Sequence, residues 1–270
     1  MNVQEYDLLN CIMEQTYINQ RILSEITGYS LGKVNSSLKK LTELGYIDEK
    51  MQCTSKAYNE LEEKKPENAI ILAAGFGMRM VPINVEVPKG ILEIKGEPLI
   101  ERLIKQLHEV GIFKIDIVVG FMKEQYEYLI DKYDVTLVYN RDYMTKNNLH
   151  SLKKVIDKIG NTYILPCDLW CFQNPFSNKE WYSWYMVSDK ETEESNVRIN
   201  RKKEIVETKR NGKSDAWDFL CFKRRCSFSK TESITSFKCE RVHTCFLGRG
   251  SYERWQDDIK TKESFSKFGI

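Results

Sequence analysis

The chain has 270 residues, is 41% hydrophobic and 30% charged, and carries a formal net charge of +2. That profile fits a globular protein of roughly one to two domains with a sizeable core, and so small a charge does not imply nucleic acid or an acidic membrane as a bulk partner. No apolar run approaches the ~20 residues that cross a bilayer, and the chain is polar from Asn2 with no secretory leader, so the expected compartment is the cytoplasm.

Residues 1–65 predict short helices followed by a hairpin. Tyr6, Leu8, Leu9 and Ile12 recur at helical spacing. Asn19 is placed to cap a second helix carrying Ile22, Leu23 and Ile26, which Gly28 ends. Ser30 caps a third, with Leu31, Val34, Leu38 and Leu41 inward and Gly45 at its end. Residues 46–48 and 51–54 read as two short strands, and Ser55 opens a helix through Tyr58 and Leu61. Three helices and a wing are the order of a winged helix-turn-helix, and the segment resembles the winged-helix modules of bacterial regulators. Its third helix offers Lys33, Lys39 and Lys40, with Asn35, Ser36 and Ser37 able to reach DNA bases or phosphates. Residues 1–65 hold eight basic against ten acidic side chains, so a protein-contact or homodimer role is equally open.

The charged stretch 62–67 includes the helix breaker Pro66 and sets a boundary after residue 65. The pattern then changes. A buried-strand run at 69–72 is followed by a glycine loop, a helix over 98–110, a strand at 115–119 and a helix over 123–133. Further strands lie at 136–139 and 163–166, the last ending near Asp168. Strands alternating with helices predict an α/β fold with a doubly wound, mostly parallel sheet.

The chemistry concentrates after the first strand. Small residues at Gly75 and Gly77 let backbone N–H groups approach phosphate oxygens closely, and Arg79 and Lys89 add two cations. A dinucleotide-binding turn needs a third small residue three positions beyond the second glycine, and an ATPase loop needs Gly-Lys-Ser/Thr; neither follows here. Asp168 stands just beyond an apolar strand, at the carboxyl edge where open α/β sheets bind ligands.

The text LAAGFGMRMVP, followed by PKGILEIKGEPLIE, resembles the nucleotidyltransferase family that includes the sugar-1-phosphate nucleotidylyltransferases, and within it the bacterial choline-phosphate cytidylyltransferases. The likeness runs from Ala69 to about Lys209. It implies that the backbone of Leu72, Ala73, Ala74 and Gly75, with Arg79, holds a triphosphate, and that Lys89 binds phosphate at the reacting centre. It further implies that Asp168 binds Mg2+, and that Asn147, Asn148 and Ser151 line the base and ribose pocket. The implied substrates are CTP and phosphocholine, with a sugar phosphate as the alternative acceptor and a nucleotide-sensing regulator as the alternative class. Trp170, Trp181, Tyr182, Trp184 and Tyr185 form an aromatic stretch beyond Asp168. Aromatic faces attract quaternary ammonium groups, so Trp181, Trp184 and Tyr185 are candidates for the acceptor, although rings in such a run also serve to pack a sheet.

After Lys213 the resemblance stops, and the acidic motif with which family members continue, an aromatic residue and Trp followed by two acidic or amide positions, is missing. Codons for residues 215–223 can be chosen so that the frame one nucleotide later reads MHGISYVLK, and in that same frame residues 246–259 can read FWEEALMKDGKMI. The expectation is a frameshift near Gly212, an incomplete catalytic domain over 66–213, and a poorly ordered tail over 214–270. Of eight cysteines, Cys167 and Cys171 flank Asp168 and read as buried thiols. Cys221, Cys226, Cys239 and Cys245 crowd the tail with His243, at spacings that match no standard zinc pattern.

Overall fold

The structure, a computed structural model, describes residues 1–15, 19–76, 86–146 and 148–187, with residues 185–187 as backbone only. It also describes the strand backbones at 191–192, 197–199, 205–207, 212–213, 219–222 and 241–244. The chain folds as two compact units. The first is Met1–Lys65 together with Lys179–Tyr182, and the second comprises Pro66–Asn178 and the described residues from Ser183 on.

In the first unit, helices α1 (Val3–Glu14), α2 (Gln20–Thr27), α3 (Leu31–Glu43) and α4 (Ser55–Glu63) follow the predicted order. Their ends are set by side chains. The Asn2 side chain accepts from the Glu5 N–H while the Glu5 carboxylate accepts from the Asn2 N–H, a reciprocal cap that also places an acid in the first turn of α1. Asn19 accepts from the N–H groups of Arg21 and Ile22, Ser30 from that of Lys33, and Gly28 ends α2 in the left-handed conformation at φ 70°. Leu8, Leu9, Leu23, Val34 and Leu41 are fully buried. Leu31, expected inward, is instead 48% exposed, and Ile26 is 52% exposed. They stand at the end of α2 and the start of α3, where the apolar stripe has already turned outward. The two wing strands reduce to one antiparallel bridge, Ile47 to Cys53, because Asp48 turns the chain by accepting from the N–H groups of Lys50 and Gln52.

The second unit runs β1 (Asn68–Ala73), β2 (Glu93–Ile94), β3 (Glu97–Pro98), α5 (Leu99–Glu109), β4 (Ile115–Val119), α6 (Tyr128–Tyr133), β5 (Thr136–Tyr139), α7 (Asn148–Lys153) and β6 (Thr162–Pro166). Then come β7 (Trp184–Val187), β8 (Glu191–Thr192), β9 (Val197–Ile199), β10 (Ile205–Glu207), β11 (Gly212–Lys213), β12 (Phe219–Phe222) and β13 (Arg241–Thr244). The main sheet has the order β13-β7-β12-β6-β1-β4-β5. Its heart, β6-β1-β4-β5, is wholly parallel; β12 is antiparallel to β6 and β7, and β13 is parallel to β7. Residues 214–270, expected as a poorly ordered tail, contribute the strand backbones β12 and β13; the rest of that span lies outside the described residues.

Every residue of β4 is buried, as a strand covered on both faces must be. On one face Ile70, Val118 and Ile164 pack with Ala74, and Leu152 of α7 closes over them. The helix α5 turns Leu99, Ile100, Leu103, Ile104 and Leu107 inward with no accessible surface beyond 1%. Between β2 and β3 the chain reverses through Lys95 and Gly96, both at positive φ (53° and 78°), as a two-residue hairpin of the type that matches strand twist requires.

Candidate active site

The parallel order places β1 between β4 and β6, with the chain leaving β1 toward one neighbour and returning on the other side. The crevice above such a reversal, at the carboxyl ends of the strands, is where open α/β sheets bind ligands. The Leu72 carbonyl accepts from the Cys167 N–H at 3.2 Å and the Ala74 carbonyl from the Phe121 N–H at 3.2 Å, so the end of β1 is pinned to the ends of β6 and β4. Ala73 and Ala74 are buried and Leu72 is half-buried, whereas Gly75 is exposed. A Cβ added at Gly75 would meet nothing within 4 Å. Open space therefore faces the peptide at this turn, which suits close approach by an anion. Gly77 and Arg79, expected to continue this grip, lie outside the described residues.

Lys89 begins a 3-10 turn, Lys89–Ile91, launched from extended backbone at Pro88. Its Nζ donates to Oδ2 of Asp168 at 3.1 Å, with the two side chains 22% and 32% exposed. The structure thus brings together the two residues on which the sequence reading placed most weight. The approach is tight: a Cβ at Gly90 would stand 3.1 Å from Cys167 Cβ and 3.1 Å from the Tyr126 hydroxyl. Tyr126 is buried beneath this junction, and burial pushes its phenol far above the ordinary range. Burial does the same to the Cys167 thiol; the Asp168 charge adds to the shift and Lys89 opposes it. Neither group titrates near neutrality.

Asn148 opens α7 on the exposed side, and Asn147 lies outside the described residues. Ser151 is buried, and its hydroxyl accepts from Asn140 Nδ2 at 3.0 Å. Asn140 was not singled out from the sequence. It is fully buried just past β5, and its Oδ1 accepts from the Asp142 N–H at 3.0 Å, so it ties α7 to the loop after β5. Its one visible sign is an amide directly after an apolar strand, at the ligand-binding edge of the sheet.

The aromatic stretch is largely spent on packing. Trp181 is 4% exposed and stacks on Tyr6 at 5.2 Å in the first unit, where Lys64 also lies over Tyr6. Trp184 is 5% exposed and meets Tyr163 edge to face. The ring of Trp170 is covered by the Arg102 guanidinium at 4.8 Å, and Tyr182 donates to Asp7 at 3.0 Å. The rings proposed for an acceptor cation, Trp181 and Trp184, are therefore buried, because each fills a core position; the Tyr185 side chain lies outside what is described. On α3 of the first unit Asn35 and Ser36 are exposed, while Ser37 is buried and cannot reach a partner. Lys40 is paired with Glu5 at 2.7 Å and Lys39 with Glu43 at 3.9 Å. Among the described residues no group of three His, Cys, Asp or Glu side chains is disposed to hold a metal, and no helix is long and apolar enough to cross a membrane.

Comparison with known proteins agrees with this geometry. Residues 1–48 match the winged helix-turn-helix DNA-binding family, and residues 69–228 match the MobA-like NTP transferase domain. The chain is 44% identical over 110 residues to the choline-phosphate cytidylyltransferase of Streptococcus pneumoniae (strain ATCC BAA-255 / R6), covering 41% of this chain and 48% of that one. It is 43% identical over 105 residues to the 2-aminoethylphosphonate cytidylyltransferase of Lancefieldella rimae, covering 38% of this chain and 43% of the relative. The chain thus spans about half the length of the curated relatives it matches. A solved structure of the CTP:phosphocholine cytidylyltransferase from Streptococcus pneumoniae aligns with a TM-score of 0.54 at 34% identity, covering 58% of this chain and 71% of that one. A parallel sheet pinned at its carboxyl edge, an open glycine turn and a facing Lys–Asp pair have one common reading: the chain belongs to the MobA-like NTP transferase domain family, and its fold is that of the nucleotide-diphospho-sugar transferases.

Proposed function

We propose that this chain transfers a cytidylyl group from CTP to phosphocholine, giving CDP-choline and pyrophosphate. The observation that carries the reading is the 3.1 Å contact of Lys89 with Asp168, at the sheet edge where β1 opens into the turn at Gly75. In the reaction an oxygen of the acceptor phosphate attacks the α-phosphorus, and the bond from that phosphorus to the bridging oxygen breaks as pyrophosphate leaves. Anions are brought together and no covalent enzyme intermediate is needed, so charge neutralisation and alignment are what the protein supplies. Lys89 answers the growing negative charge, and the Gly75 N–H and its neighbours orient the phosphates. Arg79 and Gly77 extend that grip in this reading, and Asn147 and Asn148 lie toward the nucleoside.

Asp168 is a hard oxygen donor, one third exposed, and suits Mg2+, which is commonly held by one or two carboxylates, substrate phosphates and water. When bound there, the ion would supply Lewis-acid charge at the phosphates. The half-length overlap with the curated relatives bears on the acceptor. Pyrophosphate release is therefore measured with each nucleoside triphosphate against phosphocholine, 2-aminoethylphosphonate and sugar 1-phosphates. CTP with phosphocholine is expected to give the highest rate, and Lys89→Ala to abolish it; retained release in that variant removes Lys89 from its role.

The match of residues 1–48 supports a second activity, DNA binding through α3, with a second copy of the chain as the competing partner. A gel-shift titration with and without CTP, run beside sedimentation, distinguishes the two. Cys11, Cys53, Cys167 and Cys171 are free thiols, which suits a reducing compartment such as the cytoplasm.

A further inference from the structure

Three aromatic rings meet at the carboxyl edge of the sheet, each delivered by a different strand. Phe76 follows Gly75 directly after β1, Phe121 follows β4, and Tyr143 follows β5. Phe76 meets Phe121 edge to face with centroids 4.5 Å apart, and Phe121 is tilted against Tyr143 at 6.5 Å. All three are half-buried. The contrast with Tyr126 and Tyr163, which are 1% and 0% exposed, separates rings that fill the core from rings that keep part of their surface accessible.

The backbone is built to hold this cluster. A Cβ at Gly120 would come within 2.6 Å of the Ala74 carbonyl oxygen and 2.6 Å of Tyr143 Cβ, so only glycine lets Tyr143 seat against the end of β4. The Phe121 N–H donates to that same Ala74 carbonyl at 3.2 Å. The loop carrying Tyr143 is fastened by Asn140, and Asp142 accepts from His150 at 2.9 Å and Lys154 at 3.2 Å of the following segment. Such anchoring fixes the rings beside the glycine turn.

We propose that Phe76, Phe121 and Tyr143 form the surface on which the pyrimidine base of the nucleoside triphosphate stacks. The proposal rests on the reading that the phosphates lie at the Gly75 turn: Phe76 is the next residue, so the rings stand within a nucleotide's reach of phosphates gripped there. Stacking on aromatic side chains contributes to base binding independently of hydrogen-bond readout.

The test compares ligands with and without a base. The full chain is titrated by calorimetry with CTP, with inorganic tripolyphosphate and with phosphocholine, all with Mg2+. Phe121→Leu keeps the apolar bulk and removes the ring face. It is expected to raise the Kd for CTP about tenfold while leaving that for tripolyphosphate within about twofold. Phe121→Trp, which restores a π face, is expected to recover CTP binding. Equal loss for CTP and tripolyphosphate, or no loss for either, overturns the stacking role. So does a fall in phosphocholine affinity with CTP unchanged, which would give the rings to the quaternary ammonium. Wild-type chain that takes up neither CTP nor tripolyphosphate would remove the phosphate grip itself, and the stacking surface with it.

Discussion

Lys89 and Asp168 are 79 positions apart in sequence, yet the ammonium of one donates to the carboxylate of the other at 3.1 Å. Each holds the other's charge in a half-buried setting. In the proposed reaction an arriving phosphate would draw Lys89 away and free Asp168 for a cation, so binding would exchange one set of charge partners for another. Asp168→Asn takes away the competing carboxylate. It is expected to tighten CTP binding several-fold in the presence of EDTA, while pyrophosphate release with Mg2+ falls on the order of a hundredfold. Normal turnover in that variant would place the aspartate outside the reaction.

Acid sensitivity of the first unit centres on Glu60. Its carboxylate accepts from Tyr6 at 3.0 Å and also from Tyr46 and Lys64. Burial pushes its pKa up, but the bonds from Lys64, Tyr46 and Tyr6 and the Lys64 charge outweigh this and bring it from 4.5 down to about 2. The folded value lies below the unfolded one. The stabilisation is therefore complete above about pH 4.5 and is lost as pH falls toward 2. Glu60→Gln is expected to flatten the unfolding midpoint of this unit across that window, followed by circular dichroism in denaturant. An unaltered acid limb would exonerate Glu60.

Gly120→Ala probes the close approach at the end of β4. A methyl group 2.6 Å from a backbone oxygen cannot be absorbed by a rotamer change, so a loss of about 1–3 kcal/mol is expected. Gly90→Ala, whose Cβ would stand at 3.1 Å from its neighbours, should cost less. Thermal melts of the two variants rank them, and the reverse order would refute the argument.

Asp116 is buried in β4 and receives the Lys158 ammonium. Removing the lysine as Lys158→Met strands a carboxylate in the sheet, at a cost of roughly 3 kcal/mol. The double change Asp116→Asn with Lys158→Met should recover part of it, as urea midpoints will register. If the single variant is as stable as the parent, the pair contributes nothing to the fold.

Much of this architecture could be read before any coordinates. The caps Asn19 and Ser30, the stop at Gly28 and the strands β4 and β5 follow from local rules, since each depends on residues within one turn or one strand. Lys89 and Asp168 were both visible, one by its flanking proline and glycine, the other by its place after an apolar strand. Their contact was not, because it depends on how two distant strands pair. Leu31 was misplaced for a similar reason: periodicity says that a face is apolar, and only packing says where that face ends. Gly120 and Asn140 left little trace, since their roles are relations to Tyr143 and Ser151 rather than properties of their own neighbourhoods.

The aromatic packing of the first unit carries a practical lesson for cutting the chain. Trp181 lies against Tyr6, and Tyr182 bonds to Asp7, which also receives the Tyr29 hydroxyl. Residues from far down the polypeptide therefore finish a module whose other parts end at Lys65. A fragment excised at that linker would keep all four helices and still lack two of its own interior rings, leaving Tyr6 and Asp7 wet. Recombinant work on this module needs either the whole polypeptide or a graft that carries the missing tetrapeptide with it.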